Sequence, residues 1–168
     1  CATAASCRSC CGSCWRISAS ASSPLLVVVT GAPGSGKTTV AEALAKELAL
    51  PLLAKDDIKE PLFDTLGAGD RDWSRRLGAA TYEILYALAR RLLESGASCI
   101  VESNFSQAAP LRALPPARVV QVFCSAPDDV ILDRYAARVR HPGHLDREIE
   151  GRHVPGAAPA ESVAGDRG

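Results

Sequence analysis

Residues 25–38 read LLVVVTGAPGSGKT, an apolar run that passes through a glycine-rich turn into a Lys-Thr pair. Gly31 to Thr38 satisfies G-x-x-x-x-G-K-T in full, and a helical pattern follows at once. That strand, loop and helix setting is what the motif requires, because its chemistry uses backbone as much as side chains. Gly31, Gly34 and Gly36 let backbone N–H groups turn inward around a phosphate. Lys37 can reach the outer phosphates, and the Thr38 hydroxyl can hold a magnesium ion. The whole set of Gly31, Ala32, Pro33, Gly34, Ser35, Gly36, Lys37, Thr38 and Thr39 is the expected contact surface for a nucleoside triphosphate.

Outward from the loop, Leu25 to Thr30 has the Val-rich character of a central parallel strand covered on both faces. From Lys37 to about Ala49, Val40, Leu44 and Leu48 recur at four-residue spacing with Ala41 and Ala45 beside them, which predicts a helix whose N-terminus faces the loop. Pro51 ends it, and Leu52 to Ala54 forms a second strand leading into Lys55-Asp56-Asp57-Ile58-Lys59-Glu60, where a brief helical segment is expected. Residues 67–69 read as a loop. A long helix is expected from about Arg71 to Glu94, with Trp73, Leu77, Ala80, Ile84, Leu88 and Leu92 on one stripe and Gly96 closing it. Ser98 to Glu102 reads as a third strand, Ser106 to Leu114 as a short helix stopped by Pro115-Pro116, and Arg118 to Cys124 as a fourth strand. Pro127 opens a further helix, Asp128 to about Arg140. Strands alternating with helices in this way predict an α/β protein built on a parallel sheet.

The 168 residues are sufficient for one domain with a real core, and 19 basic and 19 acidic side chains leave no global field to recruit nucleic acid or an acidic membrane. Methionine is absent, even at position 1, so the chain reads as a fragment or an open translation. Five of the seven cysteines fall within the first fourteen residues. Cys7-x-x-Cys10 abuts Cys11-x-x-Cys14 without the structured segment that separates the pairs of a zinc ribbon, which favours a disordered Ser/Ala/Cys-rich leader over residues 1–23. The leader lacks the apolar core of a signal peptide, and no later run approaches membrane-spanning length. A reducing, cytoplasmic setting is expected, with Cys99 and Cys124 as buried thiols. Residues 151–168 carry Gly, Pro and Ala without periodicity and are expected to be a disordered tail, leaving 24–150 as the domain.

Open parallel sheets hold ligands at the carboxyl ends of their strands. Here the first strand delivers the loop, the second Asp56 and Asp57, and the third Glu102. These carboxylates would sit around the magnesium and the terminal phosphate, where one can orient or deprotonate an acceptor hydroxyl and another can hold a metal-bound water. The same Asp56-Asp57 pair also suits a helix N-cap followed by a first-turn acid, with Asp57 capping and Asp56 acting. Glu102 follows an apolar strand as the acid of a Walker B segment does, with Glu where Asp is usual. Arg134 and Arg138 lie four apart on one helix face, with Arg140, His141 and His144 just beyond. Such cations can close over a triphosphate, though a helix C-terminus favours cations in any case. Lys59 suits either an acceptor contact or a pairing with Glu60 or Asp56.

The succession GAPGSGKTT, KDDIKE, VESNF and RYAARVRHPGH resembles the small P-loop kinases that include polynucleotide kinase, zeta toxin, chloramphenicol phosphotransferase and gluconate kinase, and above all their uncharacterised AAA-domain members. The resemblance, from about residue 24 to 150, implies a three-layer α/β/α P-loop nucleoside triphosphate hydrolase fold with kinase-like strand order. It implies ATP and Mg2+ as cofactors and a hydroxyl acceptor as second substrate, with nucleic acid entering only as a 5′-end substrate. By the same resemblance Asp56 matches the catalytic base of polynucleotide kinase, Lys59 falls where that motif has arginine, and Lys37, Arg134 and Arg138 are the cations that act in transfer. Members of the group continue past the lid into a fifth strand and a closing helix. GRHVPGAAPAESVAGDRG does not look like that continuation, so the fifth strand is expected to be missing. A kinase is the leading expectation; an ATPase switch without an acceptor, or a non-catalytic nucleotide-binding remnant, are the alternatives.

Overall fold

From Leu26 to Gly31 every residue of the first strand is buried, which requires neighbours on both edges and layers on both faces. The computed structural model describes residues 23–67, 69–105 and 109–137. Within them β1 (Leu25–Gly31) is followed by α1 (Lys37–Leu48), β2 (Leu52–Ala54), α2 (Lys55–Leu66), α3 (Arg71–Glu94), β3 (Cys99–Glu102), α4 (Ala109–Arg112), β4 (Arg118–Cys124) and α5 (Asp128–Ala137). Most of the expected leader, the opening of the helix at Ser106, the segment from Arg138 through His144, the helical stretch near 146–150 and the tail lie outside the described residues.

The described strands form one parallel sheet in the order β2-β3-β1-β4. Their register sets Ala54, Glu102, Val29 and Val122 in one transverse row, where β2 and β3 end and which β1 and β4 pass by two residues. Every connection leaves that end of the sheet as a loop or a helix start, and this is where the fold gathers its polar side chains. One sheet face packs Val27, Val29 and Ile100 against Ala41 of α1. The other packs Leu26, Val28 and Val101 against Leu85, Ala89 and Leu93 of α3, with Leu111 and Leu114 beyond.

The long helix α3 buries a different row from the one its periodicity suggests. In α3 the sheet-facing residues are Leu77, Thr81, Leu85, Ala89 and Leu93. Of the expected stripe only Leu77 is buried; Trp73 and Leu92 are half-buried, Ala80 is exposed, and Ile84 and Leu88 stay 38% and 43% exposed. Ala89 is small enough to let the helix approach the sheet, and the Thr81 hydroxyl is satisfied by donating to the Leu77 carbonyl at 2.7 Å. In α1 Ala41 is buried and Leu44 and Ala45 pack beside it, in line with the expected face, while Val40 and Leu48 remain exposed.

The segment after β2 also differs from expectation: α2 is twelve residues long and runs through Pro61. The proline removes one intrahelical hydrogen bond. Burial of Phe63 and closure of the end by Gly67 N–H on the Phe63 carbonyl, 2.9 Å, hold the helix regardless. The N-cap of α2 is Ala54, which makes no side-chain cap. Asp57 therefore does not cap; both aspartates lie in the first turn, because the cap falls at Ala54, three residues before Asp57.

Candidate nucleotide and phosphoryl-transfer site

The phosphate loop owes its shape to two glycines. A Cβ on Gly31 would collide with the Cys124 carbonyl of the neighbouring strand, so only glycine lets β1 and β4 stay in register there. Gly36, with φ 86°, caps α1 in the left-handed region. Its carbonyl accepts from Val40 N–H, and Ala32 accepts from Ser35 N–H at 3.2 Å. No side chain caps α1, and its first turn holds no acid. The first N–H groups of that helix therefore keep their positive end for an anion. Ser35 adds a buried hydroxyl that has no partner within the described structure.

Lys37 and Thr38 open α1, and both reach Glu102 at the end of β3. Thr38 Oγ1 donates to Glu102 Oε2 at 3.3 Å, and Lys37 Nζ lies 3.9 Å from Glu102 Oε1. Burial pushes the Glu102 carboxyl above its ordinary range; Lys37 and the Thr38 hydroxyl pull it back, while Asp56 and Asp57 push further up. A buried carboxylate beside a hydroxyl supplies the hard oxygen donors that magnesium prefers. Such a site needs few protein ligands, since waters and phosphates complete the shell. No group of three or more His, Cys, Asp or Glu suited to a metal occurs among the described residues.

Asp56 is exposed at the same end of the sheet, within electrostatic reach of Lys55, Lys59, Tyr82 and Glu102. Asp57 is held above its usual range by partial burial and then by Glu60, Glu42 and Asp56. The Lys59 ammonium sits over the Phe63 ring at 5.2 Å, and burial lowers its pKa despite Asp56. Arg134, on α5, donates from Nη1 to the Gly34 carbonyl at 3.2 Å and thus rests on the phosphate loop. Arg138 lies outside the described residues. Cys99 and Cys124 are buried free thiols, Cys99 pushed up to about 11 by burial.

Four further side chains join this cluster without having been singled out from sequence: Lys55, Tyr82, Ser103 and Asn104. Lys55 Nζ lies 4.6 Å above the Tyr82 ring. Tyr82 Oη and Ser103 Oγ are 2.9 Å apart, and Ser103 Oγ donates to Asn104 Oδ1 at 3.3 Å. Burial is the main cause that raises the Tyr82 phenol and lowers the Lys55 ammonium, the latter aided by Lys59. Lys55 adjoins the Asp56-Asp57 signal, but Tyr82 lies off the expected stripe and meets its partner across 21 residues.

Comparison with known proteins places this geometry. A family profile described as an AAA domain matches residues 26–152. The crystal structure of a candidate kinase from Chloroflexus aurantiacus is similar at 44% identity with a TM-score of 0.69, over 71% of this chain and 69% of that one. A sugar kinase from Janibacter sp., 23% identical over 71% of this chain and 69% of that one, shares the fold at a TM-score of 0.51. So does a chain of the Pnkp1/Rnl/Hen1 RNA repair complex, 20% identical over 81% of this chain and 42% of that one, at 0.52. Uncharacterised proteins of Mycobacterium tuberculosis and Mycobacterium bovis are 33% identical over 137 residues; that is 74% of this chain, which spans only 28% of their length. With the phosphate loop, the parallel sheet and the family profile in agreement, the chain belongs to the AAA domain family of P-loop, kinase-like proteins.

Proposed function

We propose that the protein is an ATP- and magnesium-dependent kinase that transfers the γ-phosphate to a hydroxyl of a small molecule or nucleotide end, and that residues 24–150 form the working unit. The observation that carries this reading is the contact of Lys37 and Thr38 with buried Glu102, beside an uncapped helix start and with Asp56 on the same rim. In this reading the α1 amides and Lys37 hold the triphosphate, and Thr38 and Glu102 would hold a magnesium ion, which would supply neutralisation of phosphate charge. Asp56 accepts the proton of the acceptor hydroxyl as its oxygen bonds to the γ-phosphorus. The bond from that phosphorus to the β,γ-bridging oxygen breaks, and ADP leaves with the electron pair. Arg134 moves from the Gly34 carbonyl towards the phosphates, and Arg138 serves as the second lid cation.

A screen of acceptors, from nucleic-acid 5′ ends to sugars and antibiotics, coupled to ADP release, tests the reading. Asp56→Asn is expected to lower transfer by about 10²–10⁴-fold while leaving ATP affinity unchanged. Full transfer by Asp56→Asn would refute the assignment. Acceptor-independent hydrolysis that survives the substitution would favour an ATPase switch.

A further inference from the structure

Glu102, Ser103 and Asn104 leave β3 in succession, and the alternation of a strand sends the first two to opposite faces of the sheet. Glu102 turns to α1, where it meets Lys37 and Thr38. Ser103 turns to α3 and meets Tyr82, and it is only 2% exposed. Its own N–H donates to the Val29 carbonyl of β1 at 3.2 Å, which ties the strand exit to the centre of the sheet. Asn104, one step further, is exposed at the rim.

Exposed as it is, the Asn104 amide is held in one orientation. Tyr82 Oη and Ser103 Oγ are 2.9 Å apart and lie 3.4 and 3.3 Å from Asn104 Oδ1. Each hydroxyl carries one proton. Whichever of them donates to the other, the second is left to donate to Oδ1, so the amide oxygen is turned inward in both arrangements. The Tyr82 ring is fixed in turn, stacked on Tyr86 at 5.9 Å and tilted against Phe105 at 6.1 Å. Both Nδ2 hydrogens of Asn104 therefore point away from the hydroxyls, and among the described residues neither has an acceptor. The Tyr82 phenol is within electrostatic reach of Asp56 and Glu102, which sets this donor pair on the stretch of rim where transfer would occur.

We infer that Asn104 is a specificity-determining residue whose Nδ2 donates to a second, uncharged hydroxyl of the acceptor, so that the substrate is a polyol, a sugar or the ribose of a nucleoside, rather than a simple alcohol. The inference rests on the kinase reading of the site and narrows its acceptor class. One hydroxyl of the polyol meets Asp56 and reacts, and the other is held by the amide. A fixed amide selects by hydrogen bonding rather than by charge, and an acceptor that lacks the second hydroxyl leaves its donors unpaired. Ser103 and Tyr82 are positioning residues that hold the amide oxygen and do not touch the acceptor.

The test uses the full chain saturated with magnesium and a non-hydrolysable ATP analogue, whose binding is measured first. Its failure to bind counts against the kinase reading, whereas failure of the next step alone counts against this inference. Calorimetric titration then compares glucose with its monodeoxy derivatives, adenosine with 2′-deoxyadenosine and 3′-deoxyadenosine, and glycerol with propan-1-ol. At least one hydroxyl-complete member is expected to bind about tenfold or more tightly than a counterpart lacking one hydroxyl. Asn104→Ala is expected to erase that difference. It should weaken the hydroxyl-complete member by about tenfold and leave both the counterpart and the ATP analogue unchanged, a pattern that general damage to the fold would not give. Tyr82→Phe, which keeps the ring and removes only the hydroxyl, is expected to weaken the same member by about threefold. Preference for glucose identifies a sugar acceptor, preference for adenosine a nucleoside, and preference for glycerol a small polyol. Equal binding within every pair, no saturable binding of any member, or a preference that Asn104→Ala leaves intact overturns the inference.

Discussion

Glu102 shows at the scale of one side chain how site and stability conflict. It is 4% exposed, and its carboxyl is pushed up chiefly by burial. A carboxyl whose folded pKa exceeds its unfolded value, about 4.3, binds its proton more tightly when folded, so stability falls as pH rises through that interval. Glu102→Gln is therefore expected to raise the ligand-free melting temperature by a few degrees at neutral pH. The gain should disappear once the pH drops below about 4, because both proteins then carry a neutral group. Melting curves across pH check this. Lys37, Thr38 and Glu102 were legible in sequence because motif spacing and strand ends fix them. Lys55 and Tyr82 were not, because their contact depends on how α2 and α3 lean together over β3.

At the scale of elements, strand and helix positions were legible from periodicity and punctuation, but the buried row of α3 was not. On α3 the rows Leu77-Thr81-Leu85-Ala89-Leu93 and Leu77-Ala80-Ile84-Leu88 are neighbours, and both carry apolar residues. Packing chooses the first because Thr81 and Ala89 allow close approach, a preference that hydrophobicity alone does not register. Leu85→Ala is expected to cost about 2–5 kcal/mol of unfolding free energy. Leu88→Ala is expected to stay near or below about 1 kcal/mol. Denaturant midpoints for the two variants distinguish the rows. Helix α1 ends on Ala49 at φ 51°, a left-handed residue that carries a Cβ. Ala49→Gly is expected to stabilise the protein by roughly 1 kcal/mol in the same measurement.

For the whole molecule, the alternation of strands and helices made the fold class legible, and the row shared near the strand ends turned scattered motifs into one rim. The row Ala54, Glu102, Val29 and Val122 brings KDD, the VESN segment and the phosphate loop together from three separate connections. Register of this kind is set by long-range packing and cannot be read from any one segment. A ligand that binds only the folded state adds about 2.7 kcal/mol at a hundred times its dissociation constant, so ATP with magnesium should raise the melting temperature. The most direct test of the central claim is calorimetric titration of ATP into the protein with and without magnesium, for the wild-type chain and for Glu102→Gln. The expected result is one ATP per chain, bound more tightly with magnesium in the wild type and with that gain reduced or lost in the variant. Absence of ATP binding, or a magnesium effect that Glu102→Gln leaves untouched, would contradict it.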